Sequence, residues 1–311
     1  MTRVAAVDCG TNSVRLLIAD IADGGLTDLE RRMEIVRLGE GVDRTGRLAP
    51  QALERTFTAM RGYAKLIDQH GAERVRVAAT SATRDAANRD EFTAGVLDIF
   101  GVEPEVITGN EEAELSFLGA TRELAGLRPP RPYLVVDIGG GSTEFVVGSS
   151  HAQAARSVDI GCVRMTERHV RPGRTEPGAP PTPEQIAAAV ADIDAALAAV
   201  RETVPVDEAR TLVGLAGSVT TVAGIALGLS EYDSSRIHLS RITAAQVHQI
   251  TRDLLRMTHE ERAAIGVMHP GRVDVIGMGA LILDRIMREY GFGAVVVSEH
   301  DILDGLAWSL V

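Results

Sequence analysis

Two short apolar stretches end in aspartate and run straight into turns of small and hydroxyl residues. In one, VAAVD leads Asp8 into CGTNS at 9–13; in the other, YLVVD leads Asp137 into IGGGSTE at 138–144. A strand–turn–strand with glycine at the bend lets backbone N–H groups approach an anion closely, because no Cβ intervenes. Serine and threonine add hydroxyl donors, and the leading aspartate can hold a hydrated divalent cation. Three consecutive glycines, Gly139, Gly140 and Gly141, are costly in a turn unless the backbone needs that approach. A third turn, LAGSVTT at 215–221, joins a strand to a helix whose N-terminus favours anions. Together these turns are what a phosphate clamp needs.

Other phosphate and metal chemistries are absent. No GxxxxGK[ST], GxGxxG or HExxH occurs, and the eight histidines show no metal-ligand spacing. Those at 169, 238, 248 and 259 read as surface or hydrogen-bonded structural residues. Of the 32 basic residues only Lys65 is a lysine, so P-loop and Schiff-base routes are nearly closed and arginine must meet any phosphate.

The elements that position these turns repeat. Apolar alternation, caps and turn residues predict strands near 3–8, 14–21 and 31–38, and a helix over about 50–70. A strand at 75–79, a helix over about 85–100, a strand at 105–108 and a helix opening at Asn110 follow. The second half predicts strands at 133–138, 143–149 and 154–160, a Pro-rich loop from Pro172 to Pro183, and a helix capped by Thr182 with Gln185. A strand at 211–216, helical segments, a strand at 294–298 and a last helix capped by Ser298, with Glu299 and Asp301 in its first turn, complete it. The order is βββαβαβα twice, an α/β architecture of two lobes, residues 1–124 and 125–311. Extra helices occupy about 236–291, and the last helix is free to cross to the first lobe.

The 311 residues, 45% hydrophobic, suit about two domains. A net charge of −11 argues against nucleic-acid or anionic-membrane partners. Cys9 and Cys162 form no CxxC pair, and the run before Asp8 is too short for a signal-peptide core, so a cytoplasmic protein is expected. The uncharged stretch from Thr211 to Ser230 holds four glycines and reads as strand, turn and helix rather than a membrane span.

Seven segments resemble the exopolyphosphatase and guanosine-pentaphosphate phosphohydrolase (Ppx/GppA) family of the actin/Hsp70/sugar-kinase superfamily. They are AAVDCGTNSVRLLI at 5–18, ATSATRDAANRDEF at 79–92, VITGNEEAELSFLGA at 106–120, VVDIGGGSTEFVVG at 135–148, IGCVRMTE at 160–167, LAGSVTT, and SEHDILDGLA at 298–307. The resemblance implies two actin-like (RNase H-like) lobes with the active site in the cleft between them. By motif match it implies Glu112 as the catalytic glutamate orienting or deprotonating water, with Asp137 and Glu144 placing water and Mg²⁺, and Asp8 as their counterpart in lobe one. It implies phosphate contacts from Asn12, Ser13, Ser81, Arg84, Gly139, Gly140, Gly141, Ser142, Thr143, Gly217 and Ser218, while Arg15 and Arg164 are weaker candidates for lining the cleft. Two plainer readings stand beside these. Glu111, Glu112 and Glu114 also suit a helix dipole, worth about 0.3–1 kcal/mol each, and Arg84 could pair with Asp85 or Asp90.

The expected activity is Mg²⁺-dependent hydrolysis of the terminal phosphoanhydride of inorganic polyphosphate, with guanosine pentaphosphate as the alternative substrate. Longer family members carry a further C-terminal helical domain, so a preference for short chains is expected, and a homodimer is compatible with the extra helices. A small-molecule kinase and a non-catalytic polyphosphate or alarmone sensor are the competing classes.

Overall fold

In the computed structural model, which describes residues 1–127, 129–170 and 179–311, the chain divides into two units. One comprises residues 1–119 with 302–311, the other residues 120–301. The expected boundary at 124/125 falls inside a helix, and the last helix groups with the first unit.

In the first unit, β1 (Thr2–Cys9) pairs antiparallel with β2 (Ser13–Ala22), and β2 with β3 (Gly25–Ile35). β4 (Arg74–Ala79) and β5 (Glu105–Val106) add parallel strands, giving the order β3-β2-β1-β4-β5. β3 begins earlier and ends sooner than the predicted 31–38. Asp23 and Gly24, both at positive φ, make the two-residue turn that a twisted hairpin favours, so β3 starts at Gly25. The helices are α1 (Val42–Thr45), α2 (Pro50–His70), α3 (Ser81–Asp85), α4 (Arg89–Phe100) and α5 (Gly109–Leu127). The predicted helix over 85–100 is α4, which starts later, at Arg89, and a separate short helix, α3, precedes it. Between them Ala87 N–H donates to Gly46 O, and the buried Asn88 amide bonds both backbone groups of Leu48, which anchors the turn there.

The second unit repeats the plan with β6 (Tyr133–Ile138), β7 (Thr143–Gly148), β8 (Ala152–Val158), β9 (Thr211–Leu215) and β11 (Ala294–Val297). A strand missed in the sequence, β10 (Arg241–Thr243), pairs antiparallel with β11 and extends the order to β10-β11-β9-β6-β7-β8. Its helices are α6 (Cys162–Met165), α7 (Pro183–Arg201), α8 (Ala216–Ala226), α9 (Ser234–Ile237), α10 (Ala244–Arg256), α11 (His259–Ala263) and α12 (Ile276–Glu289). The Thr182–Gln185 capping box forms as predicted. Of the Pro-rich loop, positions 172–178 lie outside the described residues. Among the described residues no helix is long and apolar enough to cross a membrane.

The last helix, α13 (Ile302–Trp308), starts later than expected. Ser298 does not cap it: the hydroxyl donates to His300 O at 2.8 Å and accepts from His300 N–H at 3.0 Å. β1 is apolar from Val4 to Val7 because both its faces are covered there. Ala5 and Val7 join Leu16, Met60, Tyr63 and Phe92 on one side. Val4 and Ala6 join Leu17, Leu303 and Leu306 on the other, so α13 supplies one wall of the first unit. Asp304, 1% exposed, fixes that wall by accepting from Arg31 on β3 at 2.5 Å. Asp304→Ala should strand part of the Arg31 charge and lower the unfolding free energy by about 2–3 kcal/mol. Urea denaturation checks this, and a loss below about 0.5 kcal/mol would mean α13 is held by its apolar face alone.

Candidate active site

The two Asp-led hairpins share one geometry. Gly10 N–H donates to Ser13 O at 2.9 Å, and Gly139 N–H to Ser142 O at 3.0 Å. Strand register then equates Asp8 with Asp137 and Arg15 with Glu144, since Asp8 faces Arg15 across β1/β2 as Asp137 faces Glu144 across β6/β7.

Both turns have their carbonyls satisfied from behind. In the first unit Thr11 O accepts from Gly39 N–H at 2.8 Å, and Asn12 O from Val36 and Arg37 N–H at 3.0 and 2.9 Å. In the second, Gly139 O accepts from Cys162 N–H at 3.0 Å and Gly140 O from Val163 N–H at 2.8 Å, while Arg164 Nε donates to Gly141 O at 2.6 Å. A trans peptide sets its C=O and the following N–H on opposite sides. The amides of Asn12 and Ser13, and those of Gly140, Gly141 and Ser142, therefore point away from the segments that hold the carbonyls. Each backing segment carries a glycine under a buried aliphatic residue, Leu38–Gly39 and Ile160–Gly161. A Cβ on Gly39 would lie 2.3 Å from Thr11 Cγ2, and one on Gly161 2.3 Å from the Gly140 carbonyl. Neither glycine was singled out in the sequence, because its reason is a contact with a turn far along the chain.

The hydroxyls differ in what they do. Thr143, fully buried, donates to Ile160 O, and Ser81 is 2.8 Å from Thr11 Oγ1, so both side chains tie the turns to their surroundings. Ser142 is buried at the base of its turn, whereas Asn12 and Ser13 are half-buried.

Charge separates the two hairpins. Arg15 donates through Nε and Nη2 to Asp8 Oδ2 at 2.9 and 2.7 Å. At the equivalent place in the second unit two carboxylates stand opposite one another, Asp137 7% and Glu144 1% exposed. Ser157, the next residue across on β8, donates to Glu144 Oε1 at 2.7 Å.

Arg84 and Glu112, separate motifs in the sequence, meet in the first unit. Arg84 Nη1 donates to Ile107 O at 2.9 Å and to Glu112 Oε2 at 3.2 Å, and Glu112 is 8% exposed. α5 opens one residue before Asn110 because Thr108 and Glu111 form a reciprocal cap: Thr108 N–H donates to Glu111 Oε2 at 2.8 Å, and Glu111 N–H to Thr108 Oγ1 at 3.2 Å. Hydrogen bonds from the Thr108 backbone and hydroxyl hold the Glu111 carboxyl below its ordinary value. The acidic cluster is thus divided, with Glu111 serving the helix end and Glu112 turned to Arg84. The T-x-x-E spacing of 108–111 is a legible signal of that cap.

The third turn carries strain and an arginine. Ala216 sits at φ 66°, a left-handed conformation that a non-glycine residue holds at a cost of about 1–3 kcal/mol. It opens α8, whose first amides follow at Gly217 and Ser218. A Cβ on Gly217 would lie 2.2 Å from Arg272 Cζ, so the guanidinium rests on the glycine backbone. Ser218 and Arg272 also act on the Cys162 thiol, which burial pushes up against their smaller opposing effects. The Cys162 segment that backs the 139–141 turn thereby touches the 217–218 turn. Arg272 was missed because the HPGR turn carrying it has no fixed spacing from LAGS.

The histidines hold structural bonds: His169 Nε2 lies 2.9 Å from Asp192, and His238 Nδ1 accepts from Glu299 N–H at 3.2 Å. Among the described residues no group of three or more His, Cys, Asp or Glu is arranged to hold a metal ion.

Comparison with known proteins shows the family of the chain. The Ppx/GppA phosphatase family model matches residues 17–311. The chain is 50% identical over 323 residues to exopolyphosphatase 2 of Mycobacterium tuberculosis, covering 100% of this chain and 99% of that one. A solved structure described as an exopolyphosphatase-like protein superposes with a TM-score of 0.95 at 43% identity, covering 99% and 97% of the two chains. The Aquifex aeolicus PPX-GPPA enzyme superposes at 0.80 with 33% identity and 99% of each chain covered. With two actin-like α/β units and this sequence match, the chain belongs to the Ppx/GppA phosphatase family and is a hydrolase.

Proposed function

We propose that the chain is an exopolyphosphatase, releasing orthophosphate from the terminal phosphoanhydride of inorganic polyphosphate. The observation that carries this reading is the pair of turns whose carbonyls are tied back, leaving successive amides to receive phosphate oxygens. The full-length likeness to a protein named exopolyphosphatase 2 supports it. Guanosine pentaphosphate presents the same terminal anhydride and is the alternative substrate.

Mg²⁺ fits the carboxylates of Asp137 and Glu144. Like charges directly opposite in a sheet are unfavourable, more so when buried, unless a cation joins them. Mg²⁺ commonly takes one or two carboxylates and completes its shell with water and phosphate oxygens. When bound, the ion supplies charge neutralisation at those oxygens. Asp8 already accepts both Arg15 donors, so its role here is to position that guanidinium.

The remaining roles follow from the contacts. The amides of Asn12, Ser13, Gly140, Gly141 and Ser142, the Gly217–Ser218 helix start and Arg272 receive phosphate oxygens, while the Thr143 and Ser81 hydroxyls brace the turns. Glu112, its carboxylate held by Arg84, orients the attacking water. Arg84 adds a guanidinium fork suited to a phosphate. The charge of −11 gives no broad grip on a long polyanion, which favours short chains. Cys9 and Cys162, both free and buried, suit the reducing cytoplasm.

The test is phosphate release with Mg²⁺ from tripolyphosphate, long polyphosphate, guanosine pentaphosphate and ATP. Release from polyphosphate, abolished by a chelator, is expected; tight binding without release from any of them would identify a sensor instead. Glu112→Gln should lower turnover by about two to four orders of magnitude while binding survives, and wild-type turnover would remove Glu112 from the chemistry. Gly161→Ala, pressing on the Gly140 carbonyl, should lower kcat/KM by at least about tenfold. An unchanged kcat/KM would mean the 139–142 turn does not contact the substrate.

A further inference from the structure

The helices added to the second unit between α8 and β11 close around the start of α8. Arg272, from the turn before α12, rests its guanidinium on Gly217. Gly279, in the first turn of α12, packs against the next residue. A Cβ there would lie 2.7 Å from Ser218 Cβ and closer still to its Oγ. Carbon atoms pack at about 3.5–4.0 Å, and Ser218 Cβ is fixed to the backbone. A side chain at 279 would therefore displace the helix start itself rather than a flexible side-chain end. The same Cβ would lie 3.3 Å from Cys162 Cβ. Cys162 backs the 139–142 turn, its N–H donating to Gly139 O at 3.0 Å. Burial pushes the Cys162 thiol up, and a hydrogen bond with Ser218 acts in the opposite sense. The two buried side chains thus meet over Gly279.

Gly279 follows the buried Met278, as Gly39 follows Leu38 and Gly161 follows Ile160. The other glycine of this helix turn faces elsewhere. A Cβ on Gly277 would lie 3.3 Å from Leu255 Cδ2, the end of a flexible side chain on α10. Glycine in a helix is a cost relative to alanine, so position 279 has a reason that helix formation does not supply. The start of α8 needs support because Ala216 holds φ 66°, and a strained residue persists only where its surroundings over-determine it. We propose that Gly279 is a positioning residue for phosphate binding: it seats Ser218 beside Cys162 and so fixes the start of α8 against the 139–142 turn. The added helices then set the spacing of two turns that receive phosphates of one substrate. The proposal rests on the reading of both turns as phosphate sites.

Calorimetric titration with tripolyphosphate and Mg²⁺, in a Glu112→Gln background, reads binding whether or not the compound is turned over. Gly279→Ala should weaken binding at least about tenfold at unchanged stoichiometry, because a displaced turn changes the Kd of every molecule. Gly277→Ala, in the same helix turn, should stay within about twofold of the parent. In a Ser218→Gly background, which removes the atoms that a Cβ at 279 would meet, Gly279→Ala should cost less than about threefold. An unchanged Kd in Gly279→Ala, whatever the stoichiometry, overturns the proposal and leaves the phosphate reading in place. So does an equal loss in Gly277→Ala, or an undiminished loss in the Ser218→Gly background. Absence of tripolyphosphate binding in the parent would remove the phosphate reading itself, and the proposal with it.

Discussion

A turn can offer its amides to an anion only if something else takes its carbonyls. In this chain that constraint is met twice with the same device. A segment carrying a buried aliphatic residue and a glycine passes behind the turn, and its N–H groups bind the turn's carbonyls: 36–39 behind residues 10–13, and 161–164 behind residues 139–142. A Cβ on the glycine would press on the Thr11 side chain in the first unit and on the Gly140 backbone in the second. The hairpins, the backing segments and the strands that carry them are arranged to keep these carbonyls occupied.

On that shared frame the two units carry opposite charge solutions. A single register position decides between them, Arg15 in the first unit and Glu144 in the second. Arg15 neutralises Asp8 within its own hairpin. Glu144 faces Asp137 in the second hairpin, the carboxylate pair proposed to hold a divalent cation. A duplicated hairpin has thus diverged by one substitution type into an arginine-bearing turn and an acidic one. The overall charge of −11 does not report such local differences.

Much of this arrangement can be read from residue order. Apolar runs ending in Asp8 and Asp137, followed by glycine and hydroxyl residues, mark the hairpins; the repeated element order marks the two units. The T-P-x-Q cap at Thr182 is equally plain. What escaped depends on partners distant in sequence. The break between α3 and α4 comes from Asn88 gripping Leu48, and β10 exists because β11 offers it an edge. Ser298 looks like a cap but spends its hydroxyl on His300, which frees α13 to begin at Ile302. Arg272 reaches Gly217 only through the folding of the inserted helices.

The divergence of the two hairpins is tested most directly by the Mg²⁺ concentration that half-saturates phosphate release in Asp8→Asn and in Asp137→Asn. If the cation belongs to the second hairpin, Asp137→Asn raises that concentration by at least about tenfold, while Asp8→Asn leaves it near the wild-type value and changes the KM for substrate instead. A rise in Asp8→Asn as large as that in Asp137→Asn would contradict the division and return Asp8 to the metal.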